Sequence, residues 1–111
     1  MPERISDVSA MVAERAADWS EEHGRVSVRR RRFGHIRAAL LRLFGIPAVL
    51  TVHLDPLGSE VWLLLDGVRT VDEVRRELER TRPDETDLGP RLGKFIGAMV
   101  SRRLVILRTP R

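Results

Sequence analysis

The side chains that most often catalyse reactions or bind metals are few in this sequence and are poorly spaced for either task. The 111 residues include no cysteine, which excludes disulfides, thiolate metal sites and cysteine nucleophiles. The histidines, His23, His35 and His53, have neither the i, i+4 spacing of a helical metal pair nor an acidic cluster beside them. No serine lies in a nucleophile elbow, and no glycine-rich phosphate loop follows a strand. The residues therefore predict no catalytic site, no metal site, no cofactor and a protein that is not an enzyme.

Positive charge is the second chemical signal, and it is concentrated in one segment. The net charge is +4, and the stretch from position 25 to position 42 contains seven arginines and no acidic residue. The cluster Arg29, Arg30, Arg31 and Arg32 has the chemistry to meet phosphates or an anionic lipid surface. A run of this kind is also typical of a solvated turn between two elements, so both interpretations stay open.

Three glycines at fixed spacing are the third signal. Gly89, Gly93 and Gly97 recur every four residues, so they line one stripe of the last predicted helix. Each interior glycine costs about 0.5–1 kcal/mol relative to alanine, and something should offset that cost. Three explanations fit: close packing on a neighbouring helix, a shallow groove through which another backbone approaches, or self-association.

The elements that would position these residues begin with a helix. The spacing of Val8, Met11, Val12 and Trp19 predicts a helix over residues 5–22, and Gly24 is a stop signal just beyond it. The alternating residues 26–28 predict a short strand. A second apolar stripe at helical spacing predicts a helix over residues 33–44, ended by Gly45.

The strongest strand signal is the β-branched run at residues 49–54. It stops at Asp55 and Pro56, which suit the N-cap and the first position of a helix. That helix ends at the Asp66–Gly67 pair. Thr70 and Glu73 then form a capping box that opens another helix, through about Arg80.

A polar connection over residues 81–86 leads to the last helix, predicted from Asp87 or Thr86 to about Arg103, and a closing strand follows at residues 104–107. The fold class predicted from this order is α+β, of winged-helix type, with a three-helix bundle and a small antiparallel sheet. Residues 25–111 would form this domain, and residues 1–24 would be a helical N-terminal extension.

Two stretches of the sequence resemble the PqqD family of small proteins. They are LTVHLDPLGSEVWLLLDGVRTVDEVRRELE at residues 50–79 and DLGPRLGKFIGAMVSRRLVIL at residues 87–107. The Asp66–Gly67 turn and the Thr70-Val71-Asp72-Glu73-Val74 motif carry the similarity, which covers most of the chain. The family pattern also has a compact hairpin before the strand at residue 50, where this sequence has its arginine cluster and a predicted helix.

The resemblance implies a non-catalytic peptide chaperone. Members of the family bind the leader of a ribosomally made precursor peptide and deliver it to a modifying enzyme, often a radical SAM protein. An extended leader can add as a strand to an exposed sheet edge. The edge implied here comprises Val49, Leu50, Thr51, Val52, His53 and Leu54. The last helix would form the wall that faces this edge. An acidic leader would pair with the basic residues of the helix, and its backbone would approach the glycines. The helix residues implied are Arg91, Lys94, Ala98, Arg102, Gly93 and Gly97.

Two rival functions remain. A winged-helix nucleic-acid binder would use the basic segment, but the acidic residues Asp72, Glu73, Glu77 and Glu79 on the helix after the turn would repel phosphates. An assembly or membrane-surface protein would dock through residues 25–44. The oligomeric state, monomer or homodimer, stays open. Because no apolar run approaches the roughly 20 residues of a membrane helix and no signal peptide is evident, the expected compartment is the cytoplasm.

Overall fold

The computed structural model describes residues 8–31, 43 and 49–110. The strands pair antiparallel in two three-stranded sheets, ordered β5-β1-β6 and β2-β3-β4. This part of the chain is therefore a small mixed α+β domain, as the predicted class required. In chain order its elements are β1 (Val12–Arg15), β2 (Asp18–Glu22), β3 (Arg25–Arg31), β4 (Val49–His53), α1 (Pro56–Leu64), β5 (Asp66–Thr70), α2 (Val71–Thr81), α3 (Leu88–Ser101) and β6 (Val105–Arg108).

The helix predicted over residues 5–22 is wrong from Val12 onward. Only residues 8–10 of its described part are helical, and the rest forms β1 and β2. The physical reason is tertiary: β1 lies between β5 and β6, so strands far along the chain satisfy its backbone groups. Trp19, which the helical stripe included, instead lies opposite Val28 in the β2–β3 pair.

A tight hairpin joins β2 to β3. His23 and Gly24 form its turn, with φ values of 55° and 79°, and Glu22 pairs with Arg25 on either side. Two consecutive residues with positive φ are the mark of a type I′ turn, in which glycine is favoured. Gly24 is thus a hairpin residue rather than a helix stop, and a compact hairpin does precede β4.

The local signals from residue 49 onward are confirmed. Asp55 caps α1 by accepting a hydrogen bond from the Gly58 amide at 2.6 Å, with Pro56 in the first turn. Thr70 and Glu73 form the predicted capping box of α2. Asp87 occupies the N-cap position of α3, but it does so with φ 59° and without a side-chain capping bond.

Strand β5 was not predicted either. β5 follows α1 directly and pairs with β1, with an irregular register between Val12 and Glu14. Its five residues include Gly67 at φ 80° and the highly exposed Val68, so they lack the alternating pattern that marks a half-buried strand.

A single apolar core lies between the sheets and the helices. Trp62 is its largest fully buried side chain, and residues of β3, α2, α3 and β6 surround it. None of the helices in the described ranges is long and apolar enough to cross a membrane. The helix predicted over residues 33–44, with its end at Gly45, lies outside the described residues except for Leu43, which is helical and exposed.

Candidate functional site

The outer side of β4 is a sheet edge. β4 pairs with β3 on one side, and within residues 8–31 and 49–110 no strand pairs with the other. The amide of Leu54 donates to the carbonyl of Val26 at 2.9 Å, which fixes the alternation of the strand. Since backbone groups of successive residues point to opposite sides of a strand, those of Val49, Thr51 and His53 point away from β3. These residues form an outer edge whose backbone donors and acceptors have no strand partner in the part of the chain that the structure describes.

The two faces of this sheet differ in character. Val52 lies opposite Val28 and packs against the core. Thr51 and His53 are exposed on the other face, where Nδ1 of His53 lies 2.9 Å from the hydroxyl oxygen of Ser27. Of the six residues predicted to form the binding edge, every second one directs its backbone N–H and C=O groups away from β3. The amides of Leu50, Val52 and Leu54 face β3 instead.

A cavity of about 170 Å³ opens just beyond the end of β4, between α1 and α3. Asp55 and Arg91 are the charged residues of its lining. α1 and α3 approach each other closely at Gly58 and Phe95, which both line the cavity. A Cβ placed on Gly58 would lie only 3.3 Å from Cε1 of Phe95. The remaining lining is apolar and comprises Leu57, Val61, Leu78, Leu88 and Leu92. An apolar cavity beside a free edge can hold one side chain of a strand bound to that edge.

The residues predicted to form one binding wall on α3 lie on two flanks of the helix. The buried stripe runs through Leu88, Leu92, Ile96 and Met99. At about 100° per residue, Arg91, Lys94 and Ala98 fall on one side of this stripe, and Gly93 and Gly97 fall on the other. Arg102, the C-cap residue, continues the first row.

Only the row of Arg91 borders the cavity beside β4. Gly93 lines a second, mostly apolar cavity of about 460 Å³, together with Val71 and Asp72 at the start of α2. The structure therefore brings Arg91 to the end of the β4 edge but does not bring Gly93 there.

The glycine stripe is not closely packed over most of its length. Gly93 and Gly97 are exposed, and apart from the adjacent residues and backbone of α3 itself, no atom of the described residues lies within 4 Å of the place a Cβ would take. Gly89 is the exception, since its Cβ would lie 3.4 Å from Cδ of Arg75. Within residues 8–31 and 49–110, close packing on a neighbouring helix therefore does not account for Gly93 and Gly97.

The bases on the flank that borders the cavity differ in their partners. Arg91 forms an ion pair with Glu85 at 2.9 Å and donates to the carbonyl of Thr86 at 3.3 Å. The hydrogen bond from Arg91 is the main reason why the pKa of Glu85 lies below its ordinary value. Lys94 and Arg102 are exposed and have no side-chain partner among the described residues. This flank presents positive charge beside an apolar cavity.

The arginine cluster is not one surface in the part that is described. Arg29 and Arg30 are consecutive residues of β3, so their side chains leave opposite faces of the sheet. Arg29 is exposed and donates to the hydroxyl of Ser20 at 3.0 Å, whereas Arg30 is half-buried. The side chain of Arg31 and all of Arg32 lie outside the described residues.

Sequence reasoning missed the cavity beside β4. Asp55 was recognised as a helix cap but was not assigned to a site, and Phe95 was assigned no role in a site. Their positions offered one usable signal, because Asp55 directly follows the predicted edge strand. In the part of the chain that the structure describes, no group of three or more histidine or acidic side chains could hold a metal ion.

Comparison with protein families gives a match. The family described as Coenzyme PQQ synthesis protein D (PqqD) matches residues 49–105, a segment that runs from β4 through the three helices to the start of β6. Proteins of this family are non-catalytic accessory proteins that bind peptide and enzyme partners in biosynthesis. Neither the curated proteins nor the solved structures give a match.

Proposed function

The chain belongs to the PqqD family, and on that premise we propose that it is a non-catalytic peptide-binding protein of winged-helix type. It recognises the leader of a ribosomally synthesised precursor peptide by strand addition. It then presents the peptide to a modifying enzyme, for which the radical SAM class is the first candidate. The family relationship gives the class of partner, and the geometry of β4 and α3 suggests how the peptide is held.

The outer edge of β4 is the observation that carries this proposal. An added strand needs a row of free backbone donors and acceptors, and the alternation fixed by Leu54 leaves those of Val49, Thr51 and His53 on the open side. Backbone pairing of this kind binds any extended peptide. Specificity must therefore come from the side chains beside the edge.

The Arg91 flank of α3 and its cavity supply those side chains. An apolar residue of the leader would enter the cavity between α1 and α3, and acidic residues would meet Arg91, Lys94 and Arg102. Gly93 and Gly97 take no part in this arrangement, because they lie on the opposite flank.

Binding of nucleic acid is the less favoured function. The arginines of α2 are already paired within the helix: Arg75 with Asp72 and Glu79, and Arg76 with Asp72, at 2.7–2.8 Å. A helix that enters a groove of DNA presents unpaired cations to phosphates. The arrangement on α2 instead gives a neutralised surface.

The test uses tagged full-length chain as bait in extracts of its native host. Three baits are compared: wild type, Thr51→Pro and Thr51→Val. The proline removes an outward amide from β4, whereas valine keeps the amide and the branched shape. Captured material is analysed by mass spectrometry for short peptides and for large proteins.

Wild type and Thr51→Val should retain the same short, ribosomally encoded peptide, and Thr51→Pro should lose it. Addition of that peptide should slow hydrogen exchange at the amides of Thr51 and His53. Equal retention by folded Thr51→Pro, or capture of nucleic acid without any peptide, would overturn the proposal.

A further inference from the structure

Four charged side chains of alternating sign form a chain that ends at the cavity beside β4. Glu60 of α1 accepts from Nε of Arg82 at 2.6 Å, and Arg82 lies 3.5 Å from Glu85. Glu85 in turn lies 2.9 Å from Nη1 of Arg91. Arg91, at the end of this chain of charges, lines the cavity. The cation of the cavity lining is therefore already neutralised by a residue of the loop between α2 and α3.

We infer that Glu85 is a specificity-determining residue, which competes with an acidic side chain of a bound peptide for the guanidinium of Arg91. This inference rests on the proposed function, because it concerns peptides held at β4. It defines the peptide class as segments in which an apolar residue stands beside an aspartate or glutamate. The apolar residue fills the cavity, and the neighbouring carboxylate replaces that of Glu85.

The pair is weak enough to be displaced. The side chains of Arg91 and Glu85 are 47% and 37% exposed, and exposed ion pairs contribute little to stability. Displaced Glu85 also keeps a partner, since Arg82 is within 3.5 Å and is itself anchored by Glu60. The exchange therefore leaves no unpaired charge on either side.

The same arrangement discriminates against neutral peptides. An asparagine at the position of the acid cannot match the charge of Glu85, so Arg91 stays with its internal partner. The peptide then gains only backbone pairing and the apolar contact. Arg91 thus makes charge at one peptide position a condition for the full interaction, and competition from Glu85 sets how large the preference for the acid is.

The experiment pans an mRNA-displayed library of random twelve-residue peptides on immobilised full-length chains. Five chains are compared: wild type, Glu85→Gln, Glu79→Gln, Arg91→Gln and Thr51→Pro. Glu79→Gln is the matched control, because Glu79 also forms an exposed ion pair at 2.8 Å, but with Arg75 on α2. Each peptide enriched on wild type is then titrated against all five chains in two forms. The acidic form keeps the aspartate or glutamate, and the amidated form has asparagine or glutamine in its place.

Wild type should enrich peptides with an acid beside an apolar residue. Glu85→Gln should bind the acidic form about two- to fivefold more tightly, in line with loss of a surface ion pair, and should bind the amidated form as wild type does. Arg91→Gln should lose the preference for the acid. Glu79→Gln should leave both affinities unchanged.

The outcomes separate this inference from the proposed function. If peptides are enriched on wild type and lost on Thr51→Pro, but Glu85→Gln leaves the preference for the acid unchanged, the inference is overturned and the peptide-binding function stands. If no peptide is enriched on wild type over Thr51→Pro, both fail.

Discussion

The hydroxyl of Ser59 accepts a hydrogen bond from the backbone amide of Val26 at 2.8 Å. Ser59 is the buried polar residue at the start of α1, and it also donates to the carbonyl of Leu54 at 3.4 Å. One side chain thus connects the helix to the two strands that carry the candidate site. The end of β4 is held in place by this contact and by the pairing of Leu54 with Val26.

Replacement of Ser59 by alanine should destabilise the protein by about 1–3 kcal/mol, because the amide of Val26 is left buried and without a partner. The change is measured by urea unfolding. Ser101→Ala is the control, since Ser101 is exposed and bonds only to Ala98 of its own helix. It should change stability by less than about 0.5 kcal/mol, and an equal effect of the two substitutions would contradict this account.

Proline at Val52 and proline at Thr51 should differ sharply in their effect on folding. The amide of Val52 faces β3, so Val52→Pro removes a bond within the sheet and disturbs a core contact. It should cost at least about 2 kcal/mol. Thr51→Pro affects only the open side and should cost about 1 kcal/mol or less. Thermal unfolding of the two variants tests the alternation assigned to β4. A larger loss of stability for Thr51→Pro than for Val52→Pro would refute that alternation.

Glycine at position 103 should stabilise the protein. Arg103 follows α3 with φ 60°, and the amide of Leu104 donates back to the carbonyl of Met99 at 2.9 Å. This is the C-terminal position that favours glycine, so Arg103→Gly should add about 1 kcal/mol. Arg102→Gly is the paired control, because Arg102 has φ −92° and should gain nothing. Both are compared by denaturant unfolding, and a gain at both positions would exclude backbone conformation as the cause.

Acid should destabilise the protein partly through Glu60. Partial burial opposes ionisation of this carboxyl, but hydrogen bonds from Thr81 and Arg82 outweigh it, so the pKa of Glu60 lies below its usual value of 4.5. A lowered pKa in the folded state stabilises the protein above pH 4.5, and this contribution disappears as the pH falls through the lowered pKa.

Glu60→Gln should therefore be less stable than wild type at pH 7, by about 1 kcal/mol or less. The difference should shrink as the pH falls through the lowered pKa of Glu60, where the wild-type carboxylate takes up a proton. Urea unfolding at pH 7, 5 and 3 measures it. A difference that grows on acidification would show that the sign is wrong.

The sequence predicted the elements whose signals are local. Asp55 and Pro56 mark the start of α1, and Thr70 with Glu73 marks that of α2, because caps act within one turn of chain. β4 was equally clear from its run of β-branched residues. These elements account for most of the segment that matches the PqqD family.

Strands β1 and β2 could not be predicted in this way, whereas the alternation at residues 26–28 did predict part of β3. β1 has four residues, and what makes it a strand is pairing with β5 and β6 rather than its own composition. The same limit applies to the site. The spacing of Gly93 and Arg91 shows that they lie on different sides of α3, but only the neighbours of the helix show which side borders β4.

The position of β1 has a consequence for the order in which the protein folds. Glu14 of β1 forms an ion pair at 3.0 Å with Arg108 of β6, although 94 positions separate them. During synthesis β1 leaves the ribosome before β6, so the backbone groups of β1 on the β6 side cannot pair with that strand until it has emerged. Closing so long a loop is entropically costly and slow. β1 is therefore completed by a strand made much later, and the β5-β1-β6 sheet can form only after β6 has emerged from the ribosome.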